Sequence, residues 1–228
     1  NVQTLIIGAL NKFMSPEDVV LCAAGSLPGD LHRLWRSELP KSYHMEYGYS
    51  CMGYEVAGGL GARLAMDKGE LYVIVGDGSY LMLHSEILTA LKEHVKINVI
   101  LLDNSGYQCI KNLQMAHGSV GFGNEFRYRE KNSDRLIGKI TPVDFKKYAE
   151  AIGVKAFYAN NVNEFKELLR TTRKEDVSTL IEVKVLPGTM TDGYHSWWRV
   201  GIPEVSNCKA TTDSNLKMSE EISKARAY

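Results

Sequence analysis

Residues 76 to 78 read Gly-Asp-Gly at the end of the apolar run Leu71 to Val75, and Asn104 follows after 25 intervening residues, just past a second apolar run. A glycine turn between a strand and a helix lets a phosphate approach main-chain N–H groups. Asp77 puts a negative charge in that turn, and a carboxylate repels a phosphate unless a divalent cation lies between them. Magnesium takes oxygen ligands in an octahedron, typically one or two protein groups together with phosphate oxygens and water. Asn104 offers a neutral carboxamide oxygen, and Gly106, two residues on, a backbone carbonyl. Neighbouring parallel strands lie about 4.8 Å apart, so side chains at their ends can share one ion.

Other phosphate-binding turns fit less well. No G-x-x-x-x-G-K-[ST] loop occurs. Gly76 and Gly78 match the first two glycines of a dinucleotide turn, but the sixth position is Leu81, whose bulk is expected to obstruct close helix-to-strand packing. Asp103 remains an alternative as a ribose-binding acid. Asp77 is expected to lie on an exposed turn.

The elements that must position these residues follow from periodicity. Val19 to Cys22, Leu71 to Val75, Ile97 to Leu102, Val154 to Ala159 and Thr179 to Val185 read as strands. Helical spacing covers Leu27 to Leu39, Gly53 to Met66, Tyr80 to His94, a segment opened by Thr141 and Pro142 and closed by Gly153, and Asn163 to Lys174. This alternation predicts an α/β fold, a doubly wound, mostly parallel sheet with helices on both faces, and places the chemistry after Ala24, Val75 and Leu102. Residues 105–140 and 187–203 read as long loops, and the polar tail from Val205 as frayed or docked elsewhere. Leu5, Ile6, Ala9, Leu10 and Phe13 keep helical spacing from the first residues, with no initiator Met. The organisation read from this is a linker helix, 1–17, continuing from a missing N-terminal region, a cofactor domain, 18–186, and a C-terminal loop and tail, 187–228.

The chain has 228 residues, 44% hydrophobic and 24% charged, with 27 basic and 27 acidic residues, so it has no broad positive field for nucleic acid. Cys22, Cys51, Cys109 and Cys208 lack metal-site spacing and read as reduced thiols in a cytoplasmic protein. No apolar run is long enough to span a membrane.

Gly76-Asp77-Gly78, 25 residues and then Asn104 resembles the cofactor signature of thiamine diphosphate enzymes. Two upstream segments resemble the same family: "AAGSLPGDLHRLW" its first diphosphate loop, and "YGYSCMGYEVAGGLG" the segment that grips the aminopyrimidine. The resemblance implies Mg²⁺ on Asp77, Asn104 and the Gly106 carbonyl, and diphosphate on Gly78 and Ser79, with Gly25 and Ser26 in the first loop. It also implies that Met52 props the bent cofactor while the Ser50 carbonyl meets the pyrimidine amino group. Asp103 stands where the family usually has Asn.

Within the family, the segments from Val19 to Arg127 are most similar to enzymes of myo-inositol degradation that hydrolyse a polyol-derived cyclic 1,2-dione to 5-deoxyglucuronic acid. Such chemistry needs a ylide-forming glutamate from an N-terminal pyrimidine-binding domain, usually supplied by the partner subunit of a homodimer or homotetramer. No residue here inherits that role, so this piece is expected to bind cofactor weakly and to be inactive alone. The alternatives are a carboligase or decarboxylase of the acetolactate synthase type, and a non-catalytic cofactor-binding module. His84 reads as a hydrogen-bonded histidine on an apolar stripe with Leu81, Leu88 and Leu91, and Glu86 as structural. His44 receives no role. "NEFRYREKNSDR" reads as solvated surface, and Tyr194, His195, Trp197, Trp198 and Arg199 as either a closing lid or a subunit contact.

Overall fold

The computed structural model describes residues 1–46, 48–191 and 200–225. They form two compact units, one of Asn1–Gly106 with Thr141–Thr191, the other of Tyr107–Ile140 with Asp192–Tyr228.

The first unit holds a six-stranded sheet of β1 (Val19–Cys22), β2 (Tyr43–Met45), β3 (Leu71–Gly76), β4 (Asn98–Asp103), β5 (Lys155–Ala159) and β6 (Thr179–Lys184). Its order is β2-β1-β3-β4-β6-β5, and every pairing is parallel. Successive strand residues point to opposite faces. Val20, Tyr72, Ile74, Ile100 and Ile181 therefore meet α1 (Gln3–Phe13), α2 (Leu27–Leu34) and α8 (Val162–Arg173) on one side. Leu21, Val73, Val75, Val99 and Leu180 meet α3 (Tyr54–Leu64), α4 (Asp77–Met82), α5 (Glu86–Lys92) and α7 (Phe145–Ala151) on the other. The chain runs outward from β1 to β2 and then back across to β3, so β1 and β3 flank the point where the strand order reverses. Ligands of such sheets bind outside the carboxyl ends of the strands at that point.

Several expectations from periodicity are corrected by tertiary contacts. The helix expected over Tyr80–His94 is two helices, α4 and α5, broken at Leu83, where the backbone is extended. The break turns Tyr80, Ile87 and Ala90 into the core, while Leu81 and Leu88 of the expected apolar stripe are 38% and 50% exposed. Leu81 thus faces away from the helix–strand contact it was expected to obstruct. The helix expected to reach Leu39 ends at Leu34, because Asn11 of α1 takes both backbone groups of Arg36, at 3.1 and 3.2 Å. Asp144 rather than Thr141 caps α7, accepting from Lys147 N at 2.9 Å. The edge strand β2 was not anticipated, and Leu5 of α1 is half exposed.

The second unit contains α6 (Gln108–Ala116) within the expected loop and α9 (Lys209–Lys224) within the expected tail. The Gly118 carbonyl accepts from Thr211 Oγ1 at 3.0 Å, and a Cβ at Gly118 would lie 2.3 Å from Ala210 O. That close approach docks the start of α9 on the turn after α6. The aromatic loop residues from Tyr194 to Arg199 lie outside the described residues. Among the described residues no helix is long and apolar enough to cross a membrane.

Gly59 and Gly61 of α3 separate packing from propensity. A Cβ at Gly59 would come 2.5 Å from Val73 Cγ2, whereas at Gly61 it would meet nothing within 4 Å. Gly59→Ala is expected to destabilise by about 1–3 kcal/mol, and Gly61→Ala to stabilise by about 0.5–1 kcal/mol. Opposite shifts of the thermal unfolding transition check the pair.

Candidate cofactor site

The carboxyl ends of β1, β3 and β4 are adjacent in the sheet, and each carries one of the turns singled out from sequence. After β1 comes Gly25 at φ +86, where an added Cβ would meet nothing within 4 Å, so backbone conformation rather than packing demands glycine. Ser26 follows it and opens α2. Its hydroxyl lies 3.1 Å from Gln3 Nε2, which also donates to Asp30 Oδ2 at 2.7 Å. Asp30 in turn accepts from the amide and hydroxyl of Thr191 at 2.8 and 2.7 Å. The first loop is therefore anchored by α1 and by the segment after β6, through two buried polar side chains, Gln3 and Asp30.

After β3, Asp77 begins α4. It is only 1% exposed, which corrects the expectation of an exposed turn. One carboxylate oxygen accepts from Gly78 N at 2.7 Å and the other from Gly106 N at 3.0 Å. Asp77 and Gly106 are thus brought together, with the Gly106 amide donating to Asp77. Burial, and then the nearby Asp103 charge, push the Asp77 carboxyl up to about 7.

After β4, Asp103 is buried and paired with Lys184, its direct partner across the β4–β6 register. Its other oxygen accepts from Ser105 N at 2.9 Å, bending the chain so that Ser105 takes a positive φ of 63. With both oxygens engaged below the surface, Asp103 is not presented to a ribose, and the dinucleotide alternative loses its acid. Asn104 lies between these two residues, its Oδ1 shielded from solvent.

The segment before α3 completes the group. Ser50 is exposed with φ 52, Met52 is half-buried, and Gly53 has φ +94. Glu46 shapes this loop by accepting from Tyr49 N and Cys51 N at 3.0 and 2.7 Å. Gly53 N lies 2.7 Å from Ser79 Oγ, and a Cβ at Gly53 would approach Leu83 Cβ to 3.0 Å. The Met52 segment therefore abuts the turn after β3.

Sequence reading missed Glu55, Gln3 and Asp30, which lie inside helical patterns where nothing in the spacing separates a buried polar side chain from a solvated one. His84 bonds Tyr80 O through Nδ1 at 3.0 Å and Tyr148 through Nε2 at 2.8 Å, in line with its structural reading. His44 stacks on Tyr54 and bonds its hydroxyl at 2.8 Å.

The donors suit a hard cation. Carboxylate, carboxamide and main-chain oxygens are the ligand types magnesium takes. Among the described residues no group of three or more His, Cys, Asp or Glu could hold a metal, so an ion here would depend on Asn104 and main-chain oxygen. Two neighbouring buried carboxylates disfavour each other's charge, and a divalent cation beside Asp77 would reverse that penalty.

Residues 23–183 match the family model described as thiamine pyrophosphate enzyme, C-terminal TPP binding domain, and the chain belongs to that family. Its curated relatives are more particular. The chain is 52% identical over 226 residues to 3D-(3,5/4)-trihydroxycyclohexane-1,2-dione hydrolase 2 of Bacillus cereus, covering 99% of this chain and 35% of that protein. It is 51% identical, with the same coverage, to 3D-(3,5/4)-trihydroxycyclohexane-1,2-dione hydrolase of Bacillus thuringiensis (strain Al Hakam). The chain thus spans 35% of the length of these relatives. Among solved structures, the Rhodococcus jostii RHA1 thiamine diphosphate-dependent 4-hydroxybenzoylformate decarboxylase superposes with a TM-score of 0.67 at 17% identity, over 80% of this chain and 32% of that one, a likeness of fold.

The raised Asp77 acid gives a signed pH dependence. A folded-state value above the ordinary 3.8 means stability that is full below the usual acid range and lost as pH rises through about 7. Without metal, the native protein should lose thermal stability between about pH 4 and pH 7, while Asp77→Asn should not show that loss. Magnesium should restore the native protein and leave Asp77→Asn unchanged. Unfolding scans with and without the ion check this, and a pH-independent gap between the two proteins would refute it.

Proposed function

We propose that this chain is the diphosphate-binding part of a thiamine diphosphate- and Mg²⁺-dependent hydrolase that opens the ring of trihydroxycyclohexane-1,2-dione to 5-deoxyglucuronic acid in myo-inositol degradation. The single observation carrying the reading is the 52% identity along nearly the whole chain to a relative bearing that hydrolase name. The clustering of the three strand-end turns supports the cofactor part. In this reading Asp77, Asn104 and the Gly106 carbonyl hold magnesium. Gly25, Ser26, Gly78 and Ser79 face the diphosphate, and Ser50 and Met52 orient the pyrimidine. When bound, the cofactor supplies an electron sink for breaking a carbon–carbon bond beside a carbonyl.

The ylide-forming glutamate is assigned to an N-terminal pyrimidine-binding domain of a partner subunit in a cytoplasmic homodimer or homotetramer. The relatives' greater length is compatible with such a domain. Leu81, Met82 and Leu83, immediately after the Asp77 turn, are 38%, 49% and 42% exposed, which suits a face that a partner covers. The four free cysteines agree with a reducing compartment. Acetolactate synthase-like carboligation and a non-catalytic binding role remain the competing readings.

Titration calorimetry of the full-length protein should give thiamine diphosphate binding only with magnesium present, and no NAD binding. Turnover of the cyclic dione without turnover of pyruvate supports the hydrolase. Pyruvate consumption would favour the carboligase, and binding without turnover of either the non-catalytic module. This chain without a pyrimidine-binding domain should turn over neither substrate.

A further inference from the structure

Glu55, the second residue of α3, is 1% exposed, and among the described residues it pairs with no cation. Its partners instead come from three separate segments. Oε1 accepts from Ala24 N at 3.4 Å, at the end of β1 beside Gly25. Oε2 accepts from Gly53 N at 3.0 Å, beside Met52, and from Ser79 Oγ at 2.7 Å, in the turn after β3. Ser79 Oγ also accepts from Gly53 N at 2.7 Å, which closes a small triangle. Burial pushes the Glu55 carboxyl up, and these hydrogen bonds oppose the shift.

A hydroxyl has one hydrogen to donate. With that hydrogen on Glu55, Ser79 Oγ has none for a phosphate oxygen, and Glu55 adds negative charge behind the turn. A side chain that served mainly to grip an anion would not be aimed at a buried carboxylate. The geometry serves another purpose: one carboxylate holds the turn after β1, the segment before α3 and the turn after β3 at fixed separations. Preorganisation of this kind raises affinity because the ligand does not have to order the loops.

We propose that Glu55 is a positioning residue that clamps the three turns of the cofactor cradle in register, and that the Ser79 hydroxyl acts through Glu55 rather than as a donor to diphosphate. The inference rests on the thiamine diphosphate reading above and refines Ser79 within it: the residue contributes its main chain to the turn and its hydroxyl to the clamp.

The test is a double-mutant cycle in the full-length protein, with thiamine diphosphate dissociation constants measured by calorimetry at saturating magnesium. Glu55→Gln, Ser79→Ala and the double variant are compared, with metal-free unfolding transitions recorded alongside. Glu55→Gln retains the size of the side chain but cannot accept at both oxygens. Each single variant should weaken binding about tenfold or more, and the double should be no weaker than the worse single. Ser79→Ala should leave the metal-free transition within a few degrees, separating lost preorganisation from lost folding. Undiminished affinity in Glu55→Gln overturns the proposal. So does a double variant whose loss equals the product of the singles, since an independent Ser79 effect means the hydroxyl meets the diphosphate directly. If Glu55→Gln unfolds, undiminished affinity in Ser79→Ala overturns the clamp by itself. Failure of the unsubstituted protein to bind would instead strike the cofactor reading.

Discussion

Asp77 is a carboxylate held out of water at the carboxyl end of β3, and the local architecture is arranged around that fact. Its two oxygens collect the amides of Gly78 and Gly106, one on its own turn and one just past the neighbouring strand. Hydrogen bonds to the charged form favour ionisation, while burial and the Asp103 charge oppose it more strongly, so the group is raised toward neutrality. A buried acid so poised is a liability in an empty protein and an asset beside a divalent ion. Asp103 is itself held by Lys184 and by the Ser105 amide, which keeps a second acid next to the site without leaving its charge unpaired.

Around this centre the loops are tied to one another by polar side chains. Gln3 and Asp30 connect α1, the loop after β1 and Thr191. Glu55 connects the loop after β1, the segment before α3 and the turn after β3. Both groups sit where the strand order reverses, the place where such a sheet leaves its loops splayed and in need of bracing. A parallel sheet buried on both faces is rigid, and turns pinned to it hold their geometry without a ligand. Residues 23–183 match a thiamine pyrophosphate-binding domain, the family to which the chain belongs.

The chain's periodicity made most of the sheet legible. β1, β3, β4 and β6 are rich in β-branched, apolar residues, β5 is a short aromatic-containing run, and all five are bounded by helical patterns whose alternation implies parallel pairing whatever the details of contact. The Gly-Asp-Gly turn and Asn104 were legible because charge logic restricts what such a turn can hold, and their spacing placed them on adjacent strands. Less visible were elements that owe their form to neighbours: β2 has three residues and exists only by pairing with β1, and α9 begins where Gly118 lets the chain approach closely.

Local order thus determined every strand but β2, most helices and the identity of the turns, because side-chain period and turn chemistry act over a few residues. Tertiary structure alone decided the break at Leu83, the burial of Asp77, the pairing of Asp103 with Lys184 and the convergence on Glu55. The last two depend on groups 24 to 81 residues apart in the chain, as between Glu55 and Ser79 or Asp103 and Lys184. The balance between desolvation and hydrogen bonding that sets a buried carboxylate's charge exists only once those groups are folded into contact.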